Sequence, residues 1–279
     1  MKHLFDAVSN KCSKLTTVAY STSFSFGIKA LDKKLHNPIY GIYGFVRFAD
    51  EIVDTFHDYD KHYLFKKFKQ DTIESIEKKI SLNPILNSFQ KVVNDYNIEW
   101  HLINTFLDSM EMDLDEEQSY DSDKYNKYIL GSAEVVGLMC LKVFVNGKED
   151  LYETLKPSAM SLGSAFQKVN FLRDANSDFN ALGRTYFPGV NMLNFSHDDK
   201  SKIEADIQID FKEALDGIKQ LPFSSRGGVY LAYIYYYNLF RKIKSLPASR
   251  IMEERVRIPN SDKLALMAQS MIKNQLNLI

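Results

Sequence analysis

Residues 43–54 read Tyr-Gly-Phe-Val-Arg-Phe-Ala-Asp-Glu-Ile-Val-Asp. In a helix that turns about 100° per residue, Asp50 and Asp54 lie one above the other, and Tyr43 and Arg47 extend the same polar stripe. The other faces carry aromatic and branched apolar side chains, as in a buried helix. Two buried carboxylates repel each other and require a cation. This segment therefore predicts a buried helix whose acidic stripe faces an internal cavity.

A second acidic repeat, residues 173–178, reads Arg-Asp-Ala-Asn-Ser-Asp. Gln167, Asn170, Asp174 and Asp178 share one face of the helix predicted there. Carboxylate oxygens suit Mg²⁺, which takes its remaining ligands from water and from substrate phosphates. One such repeat is more often a solvated helix face, but two repeats that each follow an arginine favour a metal-dependent diphosphate site.

The composition indicates a single all-α domain over residues 1–279. The chain is 45% hydrophobic and 13% aromatic, which is enough for one large core. Only 12 glycines and 7 prolines interrupt it, and strand-like alternation is weak. Apolar residues recur at helical spacing in long segments, and the predicted helices are 63–82, 85–112, 125–145, 160–178 and 203–221.

Several classes of protein are excluded or disfavoured by simple counts. A formal net charge of −1 argues against a nucleic-acid partner. The two cysteines, Cys12 and Cys140, give neither a disulfide framework nor a zinc site, so we expect a reducing cytoplasm. The N-terminus lacks the apolar segment of a secretory signal. The apolar runs 135–145 and 227–240 are too short to span a bilayer and predict buried helices or pocket walls.

Other polar features allow more than one interpretation. Ser21 and Ser23 stand beside aromatic rings, where their hydroxyls either begin a helix or contact a phosphate. Tyr128 and Ser132 share a predicted helical face with apolar residues 135 and 139, which fits a tunnel or a core stripe. The acidic residues between 108 and 117 predict a solvated helix end and turn.

Four segments together resemble the squalene/phytoene synthase family from about Ala19 to about Lys263. Residues 20–24, Tyr-Ser-Thr-Ser-Phe, are similar to its N-terminal Ser-x-Ser-Phe element, and residues 43–54 to its first aspartate-rich signature. Tyr128 with Val-Gly-Leu-Met at 136–139 is similar to its central helix, although residues 131–134, Gly-Ser-Ala-Glu, depart from the usual Val-Ala-Gly. The second repeat, continued by Gly-Arg-Thr-Tyr-Phe-Pro at 183–188, is the most specific match.

The resemblance implies an isoprenoid synthase fold, a single helical bundle around a central apolar cavity, that joins two allylic diphosphates. It implies that Mg²⁺, or Mn²⁺, is held by Asp50, Asp54, Asn170, Asp174 and Asp178. It implies that the prenyl diphosphate substrates contact Ser21, Ser23, Tyr43, Arg47, Gln167, Arg173, Tyr186, Tyr237 and Arg255. Tyr128 would act with the four aspartates in catalysis by steering the cation or moving a proton.

The product is predicted to be phytoene, formed from two geranylgeranyl diphosphates through a cyclopropylcarbinyl diphosphate. Ile28, one turn after Phe24, is small for a tunnel position and favours the longer substrate. The compact chain without a C-terminal membrane anchor favours a bacterial type. Squalene or dehydrosqualene from two farnesyl diphosphates is the alternative, and only squalene formation needs NADPH. A catalytically silent binding factor is disfavoured because all four aspartates are present.

Two further expectations concern the surroundings of the protein and its stability. A water-insoluble product makes a peripheral contact at the inner face of the membrane plausible, although no basic amphipathic helix supports it, and the oligomeric state is left open. Asp54→Asn and Asp174→Asn should abolish turnover with little loss of stability, because each removes a charge from a repelling set.

Overall fold

The computed structural model describes residues 1–114, 120–182, 185–253 and 255–279, except for the side chains of residues 178, 180–182, 260–264 and 271. Within these ranges the chain forms helices and no β-sheet, so the predicted all-α class is confirmed. A π-helical turn, Leu130–Glu134, joins two of the helices, and a short 3₁₀ turn spans Met192–Asn194. The α-helices are α1 (Lys2–Tyr20), α2 (Thr22–Lys29), α3 (Lys33–Asp54), α4 (Lys61–Lys78), α5 (Pro84–Tyr96), α6 (Trp100–Met112), α7 (Ser122–Ile129), α8 (Val135–Val145), α9 (Glu149–Leu182), α10 (His197–Gln220), α11 (Phe223–Lys244), α12 (Ala248–Ile251) and α13 (Asn260–Gln275).

Local signals set the helix ends. Asp60 accepts a hydrogen bond from the backbone N–H of Tyr63 at 2.9 Å and begins α4. Ser196 and Asp199 form a reciprocal capping box at the start of α10. The predicted helix 85–112 was wrong in one respect, because Asn97 adopts a left-handed conformation (φ 49°) and divides it into α5 and α6. Periodicity alone does not reveal such a break when both helices bury the same face.

Helix α3 runs through the centre of the core. Its Phe45 ring is fully buried and stacks on Phe89 with centroids 3.8 Å apart, beside Phe68 and Phe106. One connected set of buried apolar side chains extends from Ile28 to Val256. This core fixes the axis and rotation of α3, and so it decides where the acidic stripe points. The assignment of residues 1–279 to one domain stays a prediction.

Two glycines bring α9 into close contact with the π-turn and with α8. A Cβ on Gly163 would lie 2.6 Å from the carbonyl oxygen of Ala133, and one on Gly137 would lie 2.7 Å from that of Ala159. Any side chain at either position would push the helices apart. These two contacts also fix how the segments are aligned along their length, since Ala133 lies beside Gly163 and Gly137 lies beside Ala159.

Among the described residues, one helical stretch is long and apolar enough to cross a membrane. It comprises α7, the π-turn and α8, runs from Ser122 to Val145 and reaches a mean hydropathy of 1.7. The run 135–145 was expected to be too short, and the structure extends it through α7. Because 56% of the apolar window is buried and α8 packs against α6 and α9, this stretch forms part of the core.

Candidate active site

An apolar cavity of about 310 Å³ lies between α2, α3, α8, α9, α10 and α11. On α9 its lining runs from Leu155 to Asn170, which is about 22 Å at 1.5 Å per residue. Tyr43, Gln167, Asn170 and Tyr236 line one end of this elongated space, and apolar side chains line the other. The apolar end is lined by Leu31, Phe144, Leu155 and Leu221.

The polar end of the cavity is an aromatic cage. The ring of Phe24 lies 5.7 Å from that of Tyr43 and 6.0 Å from that of Tyr236. Burial raises the pKa of Tyr43 to about 12, although nearby Arg47 and a hydrogen bond with Ser21 oppose the shift. Burial also raises the pKa of Tyr236, so the phenols of Tyr43 and Tyr236 both stay neutral at physiological pH and can donate or accept hydrogen bonds.

The first acidic stripe begins at this cage and leads outward along α3. Arg47 is half-buried, forms ion pairs with Asp50 and Glu51, and lies with its guanidinium 4.3 Å from the centre of the Tyr20 ring. Burial, followed by the charge of Asp54, raises the pKa of Asp50 to about 7. Asp54 itself is exposed. The prediction of a wholly buried stripe was therefore wrong at its outer end, because α3 ends at Asp54.

The second acidic stripe carries arginine–carboxylate pairs. Two nitrogens of Arg173, Nε and Nη2, donate to Asp174 at 3.0 and 2.5 Å, and Nε of Arg255 lies 2.7 Å from its Oδ1. Burial lowers the pKa of Arg173, but the hydrogen bonds to Asp174, together with the electrostatic effects of Tyr236, Asp174 and Tyr235, raise it by more, so the net pKa is above its usual value. Asp174 is thus shared by two cations. The side chain of Asp178 lies outside the described part of the structure.

A second, polar cleft adjoins these arginines. It measures about 530 Å³, and Ser21, Ser23, Arg173, Arg255 and Arg257 line it, with Tyr20 and Tyr235 beside them. The guanidinium of Arg47 lies over the ring of Tyr20, so the first and the second acidic stripe both adjoin this cleft. Three guanidinium groups and two hydroxyls form a donor-rich surface of the kind that binds phosphate oxygens.

The predicted magnesium ligands can be tested for chemical fit. The Oδ1 atom of Asn170 is buried and has no hydrogen-bond partner among the described residues, while the same side chain donates to the Tyr236 hydroxyl. A buried oxygen without a donor suits a hard cation. Asp50 and Asp174 pair with arginines instead, and among the described residues no three acidic, histidine or cysteine side chains form a group that could hold a metal ion. The residues fit Mg²⁺ chemically, and metal binding stays a prediction.

Tyr128 and Tyr186 belong to an aromatic cluster that does not line the apolar cavity. Tyr186 stacks on Phe171 with centroids 4.0 Å apart, and Tyr128 packs 5.8 Å from Tyr186. The Tyr128 hydroxyl donates to Asp113 at 2.8 Å. Asp113 is only 4% exposed, so the prediction of a solvated turn was wrong for this residue. Its tyrosine partner is 15 positions away, and no local pattern signals such a pairing.

The surface prediction can be checked for some of the other acidic residues between 108 and 117. Asp108 and Glu111 are exposed and each lies 2.9 Å from the ammonium group of Lys69, which confirms the surface prediction for them. Residues 115–117 lie outside the described part of the chain.

The tyrosine that reaches the cavity is Tyr236. Tyr237, carried over from the family resemblance, packs on Phe211 of α10 with centroids 5.3 Å apart and lines neither cavity nor cleft. Neighbouring helical residues point about 100° apart, so an error of one position exchanges a site residue for a core residue. The helical spacing that places Val229, Ala232 and Tyr236 on one face is the sequence signal that identifies Tyr236 as the tyrosine in the cavity.

The π-turn changes which face of the central helix lines the cavity. The face with residues 128, 132, 135 and 139 fitted either a tunnel or a core stripe. Of these residues only Ser132 lines the cavity, where Val136 and Cys140 follow it, and the other three are buried in the core. A π-turn contains one extra residue, and everything after it rotates by one position. The Ser132 hydroxyl is buried, and no described residue bonds it.

Comparisons with known proteins agree on the family. A family model described as squalene/phytoene synthase matches residues 17–262. A presqualene diphosphate synthase of Rhodopseudomonas palustris is 26% identical over 172 residues, which cover 61% of this chain and 60% of that protein. A 15-cis-phytoene synthase of Synechococcus elongatus is 22% identical over 286 residues, covering 94% of this chain and 92% of that protein. A dehydrosqualene synthase crystal structure superposes with a TM-score of 0.78 at 19% identity, covering 98% and 97% of the two chains.

The protein is a helical bundle around an apolar cavity, with the acidic and arginine-rich stripes at the polar end of that cavity. This arrangement is an isoprenoid synthase fold. The matched residues cover most of the chain. It therefore belongs to the squalene/phytoene synthase family, whose members are transferases that join prenyl diphosphates.

Proposed function

We propose that this protein is a phytoene synthase, which condenses two geranylgeranyl diphosphates head to head through a cyclopropylcarbinyl diphosphate. The observation that carries the proposal is the length of the apolar cavity below the polar cage. The lining of α9 spans about 22 Å. Carbon–carbon bonds of about 1.5 Å give an extended isoprene unit about 5 Å, so a C20 chain needs about 20 Å and a C15 chain about 15 Å.

The diphosphate group of each substrate would sit above the cage. Arg47, Arg173 and Arg255 supply fork-shaped donors for phosphate oxygens, and Ser21 and Ser23 add hydroxyls from the adjoining cleft. In this proposal the arginines exchange their carboxylate partners for phosphate when substrate enters. That exchange would free the carboxylates of Asp50 and Asp174.

Mg²⁺, when bound, would neutralise charge on the departing diphosphate as a Lewis acid. The residues proposed to hold it are Asp50, Asp54, Asn170, Asp174 and Asp178. The chain's own contribution to the carbon chemistry is positional. Phe24, Tyr43 and Phe166 line the cavity below the diphosphate end and exclude water that would quench a carbocation. We assign Tyr128 a supporting role through Asp113.

A second candidate is condensation of two farnesyl diphosphates to a C30 product. It is favoured by a relative named presqualene diphosphate synthase and by a structural neighbour named dehydrosqualene synthase. NADPH would be required only if the product were squalene.

The decisive experiment supplies Mg²⁺ or Mn²⁺ with labelled geranylgeranyl or farnesyl diphosphate, with and without NADPH, and identifies the hydrocarbon by mass. Phytoene as the main product supports the proposal, and a C30 product supports the second candidate. Absence of any condensation product, from protein whose circular dichroism shows the expected helix content, would refute both. Asp50→Asn serves as the inactive control.

Chain length can be tested separately at Ile28. Its side chain is 4% exposed and lines the cavity one turn below Phe24. Ile28→Phe should narrow the space and lower the ratio of C20 to C15 turnover by about tenfold, since one pocket group discriminates by about 1–3 kcal/mol. Leu15→Phe, on the exposed face of α1, is the matched control. An unchanged ratio would show that the substrate chain does not pass Ile28.

A further inference from the structure

A basic and apolar face lies outside the deep end of the cavity. Four side chains on it are strongly exposed: Phe223 (63%), Ile272 (56%), Leu276 (62%) and Leu278 (66%). Large apolar side chains that cluster on a surface mark an interaction site. Ile272 and Leu276 are one turn apart on α13, so they project from the same side of that helix.

Hydrogen bonds hold together the three helix ends that form this face, which belong to α3, α11 and α13. Arg226 of α11 donates to Asn274 at 3.2 Å and to Asn277 at 2.6 Å, which holds the end of α13 against the start of α11. Its guanidinium lies 5.8 Å from the ring centre of Phe223. The backbone N–H of Asp32 donates to the carbonyl of Ser224 at 2.8 Å, which places the start of α3 beside Phe223.

The charge on this face is positive. Its five cations are Lys29, Lys33, Lys34, Arg226 and Lys273. Within the described part of the chain none of the five forms an ion pair; Arg226 bonds amides, and Lys273 bonds the Tyr230 hydroxyl at 3.3 Å. At the start of α3, Asp32 caps the helix by accepting a hydrogen bond from the backbone N–H of Lys34. Such a face complements an anionic surface.

The face is continuous with the cavity. Leu31, Leu221 and Gly228 line the deep end, and the Pro222–Phe223 pair follows Leu221 directly. Along α11 the distance from Tyr236, at the polar end, to Phe223 is about 20 Å. A prenyl chain anchored by its diphosphate would therefore point its tail toward this face.

We propose that the face formed by Phe223, Ile272, Leu276, Leu278 and the five cations rests on an anionic lipid surface. The choice of a lipid rests on the proposed function, because a long hydrocarbon product must pass from the cavity into an apolar phase. Exposed apolar side chains inserted among headgroups and lysines facing anionic lipids together give reversible binding. Helix α1 also exposes apolar residues, but none of its residues lines the cavity.

Cosedimentation with vesicles tests the proposal without substrate, so its outcome is independent of activity. The wild-type chain should bind vesicles of phosphatidylcholine with phosphatidylserine, and less tightly those of phosphatidylcholine alone. Lys33→Gln with Lys34→Gln should weaken binding to the mixed vesicles about fivefold for each cation removed. Phe223→Ser with Leu276→Ser should weaken it tenfold or more.

The matched control is Leu15→Ser with Val18→Ser, which removes exposed apolar side chains from α1 (70% and 48%). It should bind as the wild type does. The proposal is overturned if the control loses as much binding as the Phe223 variant, or if the wild type binds neither vesicle. It is equally overturned if ultracentrifugation shows a dimer that the Phe223 variant dissociates, since the face would then join two copies.

Discussion

Replacing Asp174 should destabilise the protein, whereas replacing Asp54 should not. Asp174 accepts from Arg173 at 3.0 and 2.5 Å and lies 2.7 Å from Nε of Arg255. The side chains of Arg173 and Asp174 are only 21% and 20% exposed. Asp174→Asn would leave a largely buried guanidinium beside a neutral amide. This prediction differs from the expectation, drawn from like-charge repulsion, that both variants lose little stability.

The size of the effect follows from the degree of burial. Breaking a fully buried ion pair costs about 3–5 kcal/mol, and partial exposure here reduces that to about 2 kcal/mol. For a chain of this length such a loss lowers the melting temperature by roughly 5 °C. Asp54 is exposed and has a like-charge interaction with Asp50, so Asp54→Asn should change stability by less than about 0.5 kcal/mol.

Thermal unfolding of both variants in chelator, without substrate, provides the measurement. A double variant, Arg173→Gln with Asp174→Asn, should recover part of the loss because it removes the stranded charge. Equal melting temperatures for Asp54→Asn and Asp174→Asn would refute the argument, since the ion pair would then contribute nothing measurable.

Three other predictions concern buried polar groups. Ser132→Ala should raise the free energy of unfolding by about 1 kcal/mol, because it removes a buried hydroxyl without a described partner; a less stable variant in urea would contradict this. Tyr128→Phe should cost about 2 kcal/mol because it removes the hydrogen bond from the Tyr128 hydroxyl to the buried carboxylate of Asp113, and unchanged urea stability would count against that hydrogen bond. Because burial and Asp54 raise the pKa of Asp50 to about 7, the native state binds an extra proton: without metal, stability should fall as pH rises from about 4 toward 7. Mg²⁺ affinity should rise over the same interval, as titration calorimetry would show, and Asp50→Asn should abolish both trends.

The local and repetitive features of the fold could be predicted from the sequence. The apolar spacing around Phe45 and the scarcity of glycine and proline predict buried helices, because helical periodicity is a short-range property. The same spacing merged α5 with α6, since the break at Asn97 depends on one left-handed residue. It also left open which face of α8 lines the cavity, because periodicity assumes a regular helix and residues 130–134 form a π-turn.

The residues of the candidate site also fall into two groups, those that the sequence could identify and those that it could not. Arg47, Asp50, Arg173 and Asp174 could be selected from spacing because each stripe lies within one helix. The pairing of Asp174 with Arg255, which is 81 positions away, could not be selected in that way. The same holds for Tyr128 with Asp113, and for the choice of Tyr236 over Tyr237.

The sequence alone therefore determined the helices, the two acidic stripes and the family to which they point, because these depend on neighbours within a few turns. Tertiary packing decided which carboxylates meet arginines, which tyrosine reaches the cavity and where the apolar space ends. Those outcomes depend on how helices distant in the chain rotate and approach one another, as Gly163 does against Ala133. A contact between separate helices is a property of the assembled core, and no single segment encodes it.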